Sequence, residues 1–147
     1  MSGLAWLAAG LAAMAVAAHA QPAPGGPLAN AQMVQVTLPT HDLDRSIGFY
    51  RDTLGLPFLF KAGNAAFFQA GAIRLRFELD PKAVPASGEI YFEDPGLAYV
   101  APLTQRGIRF LAPAETVQRK ATSDVKLIEF TDPDGNAIGL LGEVPKP

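Results

Sequence analysis

Apolar and polar residues alternate through "QMVQVTLP", Gln32 to Pro39, so that Val34, Val36 and Leu38 share one side. A period of two predicts a half-buried strand. The period then changes. In "HDLDRSIGFYRDTLGL" the apolar residues Leu43, Ile47, Tyr50 and Leu54 recur at helical spacing, with Asp42 placed as N-cap and Gly55 as the stop. Three short apolar runs follow, "LPFLFKA", "NAAFFQA" and "AIRLRFEL", separated by Gly or Asn. They predict three strands, giving the order β-α-β-β-β.

The pattern restarts after "DPKAVPAS". "GEIYFED" alternates around Ile90 and Phe92 and predicts a strand. "PGLAYVAPLTQRG" predicts a helical segment that opens on Pro95, stops at Gly107 and is weakened by Pro102. "IRFL", "DVKLIEFT" and "NAIGLL" predict three more strands. In "FTDPDGNAIGLL" the prolyl turn and Gly135 predict a hairpin between the last two. The chain is therefore read as two tandem βαβββ modules, residues 31–79 and 88–143, with Gln35 matching Glu89. Neither module can bury its apolar face alone, so the expected class is α+β with the two modules paired in one domain, 31–143, and a tail at 144–147.

Composition changes this picture mainly at the N-terminus. "LAWLAAGLAAMAVAA", Leu4 to Ala18, is uncharged and apolar, and Ala18-His19-Ala20 has the small-residue pattern of a cleavage site. The run is short for a membrane span. The expectation is a signal peptide at 1–20, cleavage after Ala20, and a periplasmic or secreted product; a retained N-terminal anchor is the alternative. "QPAPGGPLAN", residues 21–30, is uncharged and rich in Pro and Gly, and predicts a disordered linker. The formal charge of −2 gives no basic surface for a nucleic-acid partner. With no cysteine, disulfides, thiolate ligands and a cysteine nucleophile are excluded.

Two of these segments carry a resemblance. "VQVTLPTHDLDRSIGFYRDTLGL" resembles the opening strand and helix of the vicinal oxygen chelate superfamily, which includes glyoxalase I, bleomycin-resistance proteins and extradiol dioxygenases. "FTDPDGNAIGLL" resembles its closing hairpin. The resemblance implies a curved half-barrel sheet with the site on its concave face. It also implies metal ligands at four points, the first and last strand of each module. Here those points fall on Gln35, Arg76, Glu89 and Gly139.

That set is chemically poor. Gln35 and Glu89 could ligate a metal if one were present. Arg76 has no lone pair to offer and stays protonated, and Gly139 has no side chain. Strand alternation puts Arg74, Arg76 and Glu78 on the face away from the helix, and likewise Glu89, Tyr91 and Glu93. Gln35, Arg74, Arg76, Glu89 and Tyr91 are the candidate small-molecule contacts, with no cofactor and no resident metal expected. Arg76 and Glu89 could form an ion pair in place of the metal, or serve a ligand. Other residues have plainer readings. His41 is expected to be a solvated turn residue, Asp132 and Asp134 to shape the hairpin, and Asp42 and Asp44 to complement the helix N-terminus. "VQRKATSD" is expected to be a mobile loop, and Phe58, Phe60, Phe67 and Phe68 to be mostly core.

Three functions compete at this stage: an exported, metal-free binding protein for a small anionic or aromatic molecule, a metal-dependent lyase or dioxygenase with unusual ligands, and a partner-binding domain with a closed cavity. A homodimer is compatible with all three. The missing His ligands and Gly139 favour the first, and the charges at Arg74, Arg76, Glu89 and Glu93 disfavour the third.

Overall fold

The computed structural model describes residues 26–29, 31–86 and 88–147. The signal-peptide reading of residues 1–20 and most of the linker reading fall outside the described residues. The chain divides into two units between Gln32 and Met33. In the first, residues 27–29 form a turn closed by Ala29 N–H donating to the Gly26 carbonyl at 2.9 Å.

The second unit holds both modules. The first runs β1 (Gln35–Thr40), α1 (Leu43–Gly48), a π turn (Phe49–Thr53), β2 (Phe58–Ala62), β3 (Ala65–Ala70) and β4 (Ile73–Leu79). The second runs β5 (Glu89–Glu93), a 3-10 turn (Pro95–Leu97), α2 (Val100–Gln105), β6 (Glu115–Arg119), β7 (Ser123–Thr131) and β8 (Ala137–Pro145). Each module forms one four-stranded sheet, in the orders β1-β4-β3-β2 and β5-β8-β7-β6, with the first and last strands parallel and the others antiparallel. The expected α+β class and tandem βαβββ repeat are those of the structure.

Local chemistry explains the elements. Asp42 caps α1 by accepting from the Arg45 N–H at 3.0 Å. Gly55 ends the helical stretch at φ +77°, where a Cβ would be strained. Pro102 sits in the first turn of α2, where its missing N–H costs nothing, and this shortens the helix to Val100–Gln105.

Two elements differ from the sequence reading. "IRFL" is not a strand. Ile108 is buried and Phe110 packs edge-on against Phe130 at 5.6 Å, so its apolar residues serve the core from an irregular segment. The sixth strand is Glu115–Arg119, which takes in part of the expected loop "VQRKATSD" and pairs with β7. Its side chains are almost all exposed, so it lacks the apolar alternation that marks a strand.

Both sheets turn their apolar faces to one core. Leu38, Phe68, Leu75 and Phe77 from the first module share a buried cluster with Ile128, Phe130, Ile138 and Leu140 from the second. Each such side chain contributes about 1.5–3 kcal/mol by leaving water. Tyr50 lies at the centre, fully buried, with its ring 4.2 Å from that of Phe77.

Polar contacts then fasten the last hairpin to the first helix. The Tyr50 hydroxyl donates to Asp132 at 2.8 Å. Burial and the adjacent Asp132 carboxylate push the phenol far above its usual pKa, so it stays a donor. Asp134 accepts from the hydroxyls of Thr40 (2.6 Å) and Ser46 (3.3 Å), from the His41 backbone (3.1 Å) and from Arg45 (3.3 Å). The His41 ring completes the set, with Nδ1 2.9 Å from Asp134 and Nε2 2.7 Å from the Ala83 carbonyl. His41 is thus not a solvated turn residue. It ties the β1–α1 corner to the hairpin and to the connection between the modules. Because both ring nitrogens face acceptors, the Asp134 contact and then the Ala83 carbonyl raise its pKa above the ordinary 6.5. Burial alone would push the Asp134 carboxyl up. The hydrogen bonds from Thr40 and His41 outweigh it and hold the carboxyl below its usual 3.8.

Candidate functional site

Strand pairing sets residues side by side on the sheet faces opposite the core. On the first module Gln35 neighbours Arg74 and Gln69, and Thr37 neighbours Arg76, Phe67 and Phe60. On the second, Glu89 neighbours Ala137 and Thr131, and Tyr91 neighbours Gly139 and Glu129. The expected alternation holds. Leu75 and Phe77 are buried while Arg74 is exposed, and Glu89 and Tyr91 are exposed beside half-buried Ile90 and Phe92.

No ion pair joins Arg76 to Glu89. Arg76 instead donates to Glu78, two residues on along the same strand, at 2.6 Å, and this bond lowers the Glu78 pKa. Its guanidinium also lies over the Phe67 ring, 5.9 Å from the centroid, and Phe67 stacks on Phe60 at 4.6 Å. Phe60 reaches this face because a bulge in β2 shifts the register between Phe58 and Phe60. It is 47% exposed rather than core. The structure therefore groups Gln35, Arg74 and Arg76 with two aromatic rings on one face. It groups Glu89 and Tyr91 with Glu129 on the other.

Gly139 has a physical reason. A Cβ there would overlap the Tyr91 ring and come within 3.0 Å of Leu127. The aromatic residue one strand away has taken the space that a side chain at 139 would need. Its hydroxyl lies 3.3 Å from Glu89. The charges of Glu89 and Glu129, together with partial burial, raise the Tyr91 pKa and keep the phenol neutral. The sequence marked Gly139 as an absence; the ring covering it could not be read from alternation alone.

The family model of the Glyoxalase/Bleomycin resistance protein/Dioxygenase superfamily matches residues 32–140. The chain belongs to this superfamily. Among solved structures it is similar to a virulence protein of Salmonella typhimurium, at 25% identity over 77% of this chain and 97% of that one, with a TM-score of 0.63. A glyoxalase/bleomycin resistance protein/dioxygenase from Nocardioides shares 23% identity over 77% and 83% of the two chains, with a TM-score of 0.60. A lactoylglutathione lyase from Agrobacterium tumefaciens shares 20% identity over 76% and 93%, also at 0.60. These likenesses carry the fold. No curated protein is significantly similar to the chain.

The superfamily's metal can be tested against the donors at hand. Of the four matching positions only Gln35 and Glu89 offer a side-chain oxygen. Arg76 offers only donors, and Tyr91 closes over Gly139. Among the described residues no group of three or more His, Asp or Glu is placed to hold a metal ion. The donor set does not fit a divalent transition metal.

Proposed function

We propose that this superfamily member is an exported, metal-free binding protein for a small anionic or aromatic molecule, held on the outer sheet faces where relatives of this fold would carry a metal. The carrying observation is the pair of replacements, Arg76 at one ligand position and Gly139 under the Tyr91 ring at another. The free edge of the Arg76 guanidinium suits a carboxylate, and Arg74 adds a second positive charge. Phe67 and Phe60 offer a surface for an aromatic ring. Without a Lewis acid, this chemistry favours binding over turnover.

Elemental analysis and amide NMR of the purified protein with small aromatic carboxylates test the reading. Less than stoichiometric metal, with shifts at Arg76, Phe67 and Gln35 that vanish in Arg76→Ala, is expected. One bound zinc, nickel, iron or manganese per chain, lost on Gln35→Ala or Glu89→Ala, would restore the enzyme reading. Export rests on Leu4 to Ala18 and the Ala18-His19-Ala20 pattern. An intact mass lacking Met1 to Ala20 in the exported fraction is expected. Full-length mass in the membrane fraction would instead mean an anchor.

The two outer faces also carry opposite charge, Arg74 and Arg76 against Glu89, Glu93 and Glu129. A second copy that sets its acidic face on this basic one would enclose the ligand. Light scattering should then give a dimer that weakens with added salt.

A further inference from the structure

We propose a second ligand site, in the seam between the modules on the core side of the sheets, for an alkyl carboxylate. The proposal is independent of the outer-face reading above. A cleft of about 340 Å³ opens between the turn after the first helical stretch and α2. Its floor is made of buried Leu103, Phe130 and Leu140, and its walls of Leu54, Leu56 and Phe92. Its size is at the lower end of small-molecule pockets, which run from about 300 Å³ upward, and its lining suits a hydrocarbon tail.

The mouth carries one cation. Arg106 lies across Gly55, whose added Cβ would come within 3.4 Å of its Nη1. That same Nη1 donates to the Thr53 carbonyl at 3.1 Å and the Asp52 carbonyl at 3.4 Å, which pins the guanidinium at the rim. The hydrogen bonds among the described residues use only Nη1, leaving Nε and Nη2 to form a fork for a carboxylate. The nearby carboxylate of Asp52 is taken up by Arg51, in a bidentate pair at 2.6 and 2.8 Å. An apolar floor under a fixed, half-used guanidinium complements a molecule with an alkyl tail and an anionic head. The site is separate from the outer faces, yet it shares their strands: Phe92 follows Tyr91 on β5, and Leu140 follows Gly139 on β8.

Isothermal titration of the purified protein with butanoate, hexanoate and octanoate tests this, with octanol and octylammonium as head-group controls. Affinity should rise about fourfold for each added methylene, the equivalent of burying one CH₂. Octanoate should bind at least about tenfold more tightly than octanol, the worth of a charge-assisted hydrogen bond. That preference should disappear in Arg106→Gln, an exposed change whose fold is checked by circular dichroism. Leu56→Trp, which fills the cleft, should abolish binding. Octanoate-induced NMR shifts should centre on Leu54, Leu103 and Leu140. No dependence on chain length, equal binding of octylammonium, or loss of binding in Arg76→Ala with Arg106→Gln unaffected would overturn the proposal. The last result would place the ligand on the outer face instead.

Discussion

Replacing Asp134 by Ala would test the contact that fastens the two modules. The side chain is 4% exposed and accepts from five groups. A hydrogen bond to a charged acceptor contributes about 1.5–3 kcal/mol. Not all five count fully. Arg45 and His41 have side chains 49% and 32% exposed, so water replaces much of what they lose. Ser46 and Thr40 are fully buried but lie 2.7 Å apart, so they keep each other as partners. The 2.6 Å Thr40 bond at full weight, with discounted shares from the rest, gives about 3 kcal/mol. That is a large part of a total of about 5–15 kcal/mol. In urea it would lower the midpoint by about 1.5 M, for an unfolding slope near 2 kcal/mol per molar. Equilibrium melts followed by tryptophan-independent far-UV dichroism would measure it. A cycle with Thr40→Val should show coupling of at least about 1 kcal/mol. A loss below about 0.5 kcal/mol, the range of ordinary surface changes, would refute the view that this carboxylate holds the modules together.

Stability should also follow pH through His41. Its raised pKa means its contribution is fully present below 6.5 and is lost as pH rises through the raised value, so His41→Gln should flatten the alkaline side of the stability curve. Asp134 acts in the opposite sense: its contribution is present above 3.8 and is lost as pH falls through the lowered value, so the gap between wild type and Asp134→Ala should close in acid. Gly139→Ala should cost about 1–3 kcal/mol by driving the Tyr91 ring off its seat, and Tyr91→Ala in the same chain should recover much of that loss. Additive losses in the double variant would mean that the ring does not set the glycine.

Much of this fold was legible because its strands alternate and its first helix carries its own cap and stop. The strand Gln35–Thr40, the Asp42 cap and the DPDG turn all follow from local chemistry. The misplaced sixth strand has a definite cause. Glu115–Arg119 is an exposed edge strand, held by backbone pairing with β7 rather than by an apolar face, so its side chains record nothing of its conformation. The site divides in the same way. Alternation put Arg74, Arg76, Glu89 and Tyr91 on outer faces because it is a property of one strand. It could not say which of those residues would meet across the modules, which depends on how the modules pack. Nor could it anticipate the β2 bulge that brings Phe60 beside Phe67, or the partners of His41, which lie 42 and 93 residues away.

That distance in sequence bears on how the molecule comes into being. Thr40 and Ser46 are among the most deeply buried polar residues of the first module, and the acceptor that satisfies them is supplied by Asp134, near the other end of the chain. The buried hydroxyl of Tyr50 likewise waits for Asp132. A nascent first module therefore leaves the ribosome with its helix corner unfinished, because the turn that completes it has not yet been synthesised. Closing so long a loop is slow compared with forming a local hairpin. The full set of partners for these buried groups thus becomes available only when the last strand pair is in hand.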